Sequence, residues 1–133
     1  MISEDHVKEA MGEWLKNKGY TAVTARMGTA KGIDVEGVDP STGKLIAIEC
    51  KGESNAKNQW TNAWKNLSQA LFNLIKESEN PSNNDTQALA IPDTDDYRIR
   101  MSGLENFCHR QGIAVFWVSE TGHVDVWRTN STP

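Results

Sequence analysis

Apolar positions along the chain change their spacing several times, and each change marks an element. Val7, Met11, Trp14 and Leu15 recur at the three- and four-residue steps of a helix. Ser3 and the acids after it supply a start signal, and Gly19 supplies the stop. Residues 20–27, YTAVTARM, alternate as a strand, and GTAKG (28–32) follows as a loop. Residues 32–52 hold two β-rich runs that meet across the turn Pro40–Gly43. After a polar stretch (53–59), Trp60, Trp64, Leu67, Leu71, Leu74 and Ile75 form the broad stripe of a second helix, which ends before ENPSNND. TQALAI (86–91) reads as a buried strand, PDTDDY turns into a helix of about 96–111, and IAVFWVS and HVDVWR close as a hairpin around Glu120-Thr121-Gly122. Trp14, Trp60, Trp64 and Trp117 fit this scheme as core side chains better than as a platform for stacked bases.

The predicted order is helix, three strands, helix, strand, helix, two strands. An early antiparallel hairpin followed by strands that alternate with helices implies an α/β fold, a mixed central sheet with helices packed against it. At 133 residues, with 38% hydrophobic and 24% charged positions, the chain reads as one soluble domain, 1–133, with a substantial core. No apolar run approaches the length of a membrane span, and no signal peptide opens the chain. Two cysteines in unlike contexts, Cys50 in a strand and Cys108 in a helix, do not form a disulfide framework, so a reducing cytoplasm is the expected home. A net charge of −4 argues against a general polyanion-coating protein but leaves room for one that grips a phosphate locally, through metal ions and a few lysines.

Charge within the first hairpin changes the picture most. With the turn at Pro40–Gly43, facing residues have numbers that sum to 83. Asp34 then falls opposite Glu49, and Lys51 lies one same-face step beyond Glu49. Ile33, Val35, Ile46, Ile48 and Cys50 collect on the other face, which is apolar enough to be a core face. Two adjacent carboxylates repel unless a cation lies between them. Oxygen ligands favour a hard ion such as Mg²⁺, with Mn²⁺ as its substitute, and a nearby lysine can offset the charge that builds on an attacked phosphate. Cys50 turns its thiol inward, which leaves its backbone carbonyl free to face the metal. The tripeptide alone carries little weight, since 18 acids and nine lysines produce about one acid-x-lysine by chance. Its register on the hairpin is the informative part; the competing reading is an ordinary solvated cross-strand pair.

At Asp34 and Glu49-Cys50-Lys51, followed by Gly52, the chain resembles the PD-(D/E)xK nuclease superfamily, the fold of many restriction endonucleases and of archaeal Holliday-junction resolvases. The later stretch ALAIPDTDDYR…GIAVFWVSETGHV is similar to the C-terminal part of small, stand-alone bacterial members. The resemblance implies a restriction-endonuclease-like αβββαβ core. It also implies a Mg²⁺-dependent hydrolysis of DNA in which Asp34, Glu49 and the Cys50 carbonyl hold the metal and Lys51 serves the reaction. Ile33 replaces the motif's proline, whereas the literal Pro92-Asp93 has no acid-x-lysine strand after it and reads as a strand exit and helix cap. Relatives often add an acid from the first helix. Glu4 is the choice, because it lies on the buried arc while Glu9 and Glu13 point away, although an acid at this place is equally explained by the helix N-terminus. Gln69, just outside the apolar arc of the second helix, matches a glutamine that orders water or substrate in some relatives. Lys31 and Lys57 are candidates for the DNA backbone, with solvated loop lysines as the alternative, and the scattered His6, His109 and His123 take no role.

Two classes of function follow. One is a metal-dependent DNA endonuclease, with a place in repair, recombination or defence. The other is a non-catalytic DNA-binding or protein-interaction module on the same fold. For the endonuclease, a chain this short implies that a homodimer or a partner protein supplies specificity for DNA, with no part for a membrane.

Overall fold

The structure, a computed structural model, describes residues 1–55, 57–80 and 85–127. Its first helix, α1 (Glu4–Asn17), begins where Ser3 accepts a hydrogen bond from the His6 amide, and it ends at Lys18 before Gly19, which has φ +86°. Three strands follow: β1 (Thr21–Ala25), β2 (Val35–Val38) and β3 (Leu45–Cys50). A 20-residue helix, α2 (Gln59–Ser78), leads to β4 (Thr86–Pro92). Two short helices, α3 (Asp95–Met101) and α4 (Glu105–Gln111), precede the closing pair β5 (Ala114–Val118) and β6 (Val124–Trp127).

The strands lie side by side in chain order. β3, β4 and β5 run parallel, while β1, β2 and β6 are antiparallel to their neighbours. This is an α/β fold whose mixed six-stranded sheet is flanked by helices. The parallel strands have helices on both sides, which is why β5 is buried throughout and β4 from Gln87 onward, with little alternation in sequence. On one face α1 packs Val7, Met11 and Leu15 against Val35, Ile46, Ile48, Cys50 and Phe116. On the other, Leu67, Leu74, Tyr97, Met101 and Cys108 from the later helices cover Leu89, Ile91, Val115 and Trp117. The two buried, free cysteines thus stand in opposite layers.

The structure departs from the sequence expectations at several places. β1 is shorter than 20–27, and within it the pairing with β2 slips between Thr21 and Thr24, where Ala22 takes φ 51°. The helix expected at about 96–111 is two helices, broken at Ser102-Gly103, where Gly103 has φ +85°. Asp93 is not the cap of α3: Thr94 is, and Asp93 instead holds the Arg98 guanidinium at 2.7 and 3.0 Å. The Trp60 and Trp64 side chains are outside the core, because α2 buries its small and aliphatic positions Ala63, Leu67, Ala70 and Leu74. Trp14 and Trp117 do pack as expected, edge-on against Phe116 and Trp127 respectively.

Gly52 fixes how α1 meets the sheet. A β-carbon there would stand 2.1 Å from the Glu4 nitrogen and 2.4 Å from the Ser3 carbonyl carbon, so the chain leaving β3 passes directly under the start of α1. Hydrogen bonds tie this crossing on both sides: Glu53 N–H to Ile2 O (2.7 Å), Ile2 N–H to Glu53 Oε1 (2.8 Å). Tyr97 Oη and Asn66 Nδ2 each donate to the Gly52 carbonyl at 3.1 Å. Because the obstructing atoms are backbone, a side chain cannot rotate to make room. Gly52→Ala is therefore expected to lose about 3 kcal/mol of stability, measured as a fall in the urea midpoint; an unchanged midpoint contradicts the crossing.

Candidate active site

The turn between β2 and β3 sets the register. The Asp39 amide donates to Lys44 O (2.9 Å) and the Gly43 amide to Asp39 O (2.8 Å), while the Asp39 carboxylate accepts from the Ser41 amide and hydroxyl. Val38 then pairs with Leu45, Gly37 with Ile46, Glu36 with Ala47 and Val35 with Ile48, which is the register whose numbers sum to 83. Asp34 stands just past the last of these pairs. Its carboxylate Oδ2 accepts from the Cys50 amide at 2.8 Å, and its carbonyl accepts from the Arg26 amide at 2.8 Å. Arg26 also reaches the Ile33 carbonyl (2.7 Å) and Glu36 (3.1 Å), which pins the loop that delivers Asp34. On β3 the chain continues past Cys50 with the Lys51 amide donating to Ala90 O (3.0 Å), so the parallel pairing with β4 holds the Lys51 backbone.

Alternation along β3 sends the Cys50 thiol into the α1 core layer and Glu49 to the α2 side. Asp34 and Glu49 line one cleft of about 190 Å³ together with Gly32, Asn73, Glu77 and Gln87. Beyond Asn73 an adjoining groove is lined by Lys51, Ser68, Gln69 and Phe72. Ile33, expected on the core face, is half-buried and lines the cleft, since it lies where β2 has not yet begun. Lys31 is exposed beside Gly32 at the cleft's edge, and Lys57 is exposed ahead of α2.

Burial pushes the Glu49 carboxyl above its ordinary range; the Lys51 charge and a hydrogen bond from Asn73 oppose this, and Asp34 and Glu4 add to it. The opposite side of Asp34 holds a cation that the sequence pattern did not reveal. Lys8 is only 1% exposed, and its ammonium lies 3.2 Å from Glu4, 3.8 Å from Asp34 Oδ1 and 4.0 Å from Asp5. Burial works against this charge, but the hydrogen bond to Glu4 and the charges of Asp34, Glu4 and Asp5 outweigh it and the Lys8 pKa is raised. Glu4 is thus brought toward Asp34 through Lys8. Glu9 and Glu13 face away, into a groove with His6, Trp14 and His123. Sequence reasoning missed Lys8, Asn73, Glu77 and Gln87. The first had a signal: it lies beside Val7 and Met11 on the buried arc of α1, one helical turn after Glu4.

Among the described residues no three or more His, Cys, Asp or Glu side chains gather as a ready metal cage. Of the expected Glu4, Asp34, Glu49 and Cys50 carbonyl, Asp34 and Glu49 share the cleft, while Glu4 pairs with Lys8 and the Cys50 amide donates to Asp34. Two carboxylates with an open cleft still suit Mg²⁺, which takes one or two protein carboxylates and keeps several waters. Searches of family models, of curated proteins and of solved structures gave no match to this chain. No helix among the described residues is long and apolar enough to cross a membrane.

The raised Glu49 pKa carries a sign. A carboxyl whose folded pKa exceeds its unfolded value adds stability below the unfolded pKa and loses that contribution as pH rises through the folded one. At neutral pH the ionised side chain therefore burdens the fold. Glu49→Gln is expected to melt higher than the parent protein at pH 7, with the gap closing as pH falls toward about 4. Thermal melts from pH 4 to 8 check this, and a variant that melts lower at pH 7 refutes it.

Proposed function

We propose that this chain is a metal-dependent DNA endonuclease of the PD-(D/E)xK type, built on a restriction-endonuclease-like core. The observation that carries the reading is the meeting of Asp34 and Glu49 in one cleft, with Lys51 one same-face step along the strand in the adjoining groove. Helix, three strands, helix and strand in that order, with β3 and β4 parallel, support it as well. So does the position of the cleft, near the end of β3 where Asp34 and Lys51 stand just off the paired strands.

In this reading Asp34 and Glu49 hold Mg²⁺ or Mn²⁺, with the Cys50 carbonyl as a further oxygen. Such an ion would supply Lewis acidity toward the phosphate and toward water. Lys51 stabilises the negative charge that builds on the phosphate oxygens and helps position the attacking water. Gln69, exposed beside Lys51, orders water or substrate, and Lys31 and Lys57 meet the phosphate backbone. Lys8 neutralises Glu4 and one oxygen of Asp34, so the acids remain together without metal. The substrate is DNA, a homodimer or partner protein provides specificity, and the cytoplasm is the place of action.

Lys8 also favours a second reading. Its ammonium already serves as a cation for Glu4 and Asp34, as it would in a non-catalytic DNA-binding or protein-interaction module that kept the fold.

Two measurements decide between them. Millimolar Mn²⁺ is expected to raise the melting temperature of the parent protein, by preferential binding to the native state, and to leave an Asp34→Asn/Glu49→Gln variant unmoved. No shift in the parent speaks for the module. Lys51→Ala is expected to melt within a few degrees of the parent, since a half-exposed charge pair contributes at most about 1 kcal/mol. Its cleavage rate should nonetheless fall by roughly a hundredfold. The assay offers linear duplex, supercoiled plasmid, branched junctions and single strands; cleavage that survives Lys51→Ala unchanged removes Lys51 from the mechanism.

A further inference from the structure

The outer face of α2 has a composition unlike the rest of the surface. Trp60, Trp64 and Phe72 are 39%, 59% and 64% exposed, and with Ser68 they follow one four-residue step along the helix. Cationic groups accompany the rings. The Arg100 guanidinium stacks 3.5 Å from the Trp60 ring centre and 5.2 Å from that of Trp64, and the Lys76 ammonium is 5.6 Å from that of Phe72. From residue 54 to residue 76 the chain contains no Asp or Glu, although it has 18 of them in all, and the same stretch contains Lys57, Lys65 and Lys76. A net-acidic protein thus keeps one helix face free of acid and sets aromatic rings on it. That face runs without a break into the groove of Lys51, Gln69 and Phe72, next to the carboxylate cleft.

We infer that this face binds unpaired nucleic-acid bases: a single-stranded segment lies along α2, its bases stack on Trp64 and Phe72, and its phosphates meet Lys65, Lys76 and Arg100. The placement beside the cleft rests on the endonuclease reading; the surface itself does not. Charge and shape select this occupant. Exposed rings interleaved with cations and without acids match a strand that carries a phosphate for every base. An intact duplex is a poor fit, since its bases turn only their edges outward and offer the rings no face. A second copy is a poor fit too, since a two-fold contact through this face would bring the Lys65, Lys76 and Arg100 charges of both copies into one interface. For a nuclease the consequence is a preference for DNA with an unpaired segment beside the scissile phosphate, such as a flap, a frayed end or a single strand.

Binding without cleavage tests this. The full chain in EDTA is titrated into a fluorescein-labelled 20-nucleotide single strand and into the matching duplex, and anisotropy is read; the Trp64→Ala and Phe72→Ala proteins follow. Both side chains are exposed, so melting temperatures near that of the parent are expected and confirm that the variants fold. The parent is expected to bind the single strand at least tenfold more tightly than the duplex. Each substitution should weaken single-strand binding about tenfold and leave duplex binding unchanged. Single-strand binding should also quench tryptophan fluorescence in the parent, and less so in Trp64→Ala. The inference is overturned if the parent shows no single-strand preference, or if the substitutions leave single-strand affinity intact or lower both affinities equally. It is equally overturned if light scattering finds a dimer that Trp64→Ala dissociates. The endonuclease reading fails separately, through the absence of Mn²⁺-dependent cleavage on every substrate, and a stacking surface that survives that result belongs to a binding module.

Discussion

The crossing at Gly52 is the constraint on which the rest of the arrangement depends. The strand that carries Glu49 and Lys51 leaves the sheet directly beneath the first turn of α1, at a separation only a glycine permits. That contact fixes the N-terminal end of α1 over the end of β3. As a result Lys8, one turn into the helix, reaches Asp34 from one side while Glu49 approaches from the other. Tyr97 and Asn66 bind the same Gly52 carbonyl, so α3 and α2 are referred to the same point. Both layers of the protein are therefore positioned against one peptide unit next to the candidate catalytic strand.

Around that point the fold tolerates electrostatics that a stability-optimised core would avoid. A buried ammonium faces three carboxylates, and a half-buried glutamate has its charge disfavoured by burial. Each charge has a partner: Glu49 has Asn73 and Lys51, Glu4 and Asp34 share Lys8, and Asp34 also accepts from the Cys50 amide. Lys8 is the member the others rely on: without its charge Glu4 and Asp34 would be left to repel each other, whereas neutralising Glu49 relieves a charge that burial disfavours.

Much of this was legible in the sequence where local rules dominate. The turn at Pro40–Gly43 and strict alternation were enough to fix the β2–β3 register, and with it the meeting of Asp34 and Glu49. Ser3, Gly19 and the apolar steps between them were enough for α1. The misses have physical reasons too. A single left-handed glycine, Gly103, splits a helix whose periodicity continues on both sides. Trp60 and Trp64 look like core residues by hydrophobicity, yet α2 approaches the sheet through Ala63 and Ala70, which let the helix lie close and leave the large rings outside. Lys8 was hidden because a lysine on an apolar arc is ordinarily read as an interruption, whereas here Glu4 one turn away and Asp34 from across the fold make burial tolerable. Asn73 and Gln87 gave no local sign at all, since what matters is the cleft they face across elements distant in sequence.

The two cysteines turn this layered architecture into something that can be timed. Cys50 lies under α1 and Cys108 on the buried side of α4, and burial pushes both thiols upward, Cys108 to about 11 and Cys50 well beyond its ordinary value. The thiolate is the nucleophile that attacks a thiol reagent, so neither residue reacts while its layer is closed. The native chain thus carries one silent clock on each side of the sheet. Equal labelling rates at the two would mean that the layers come apart together; unequal rates would identify a layer that breathes by itself, without a foreign probe placed anywhere in the protein.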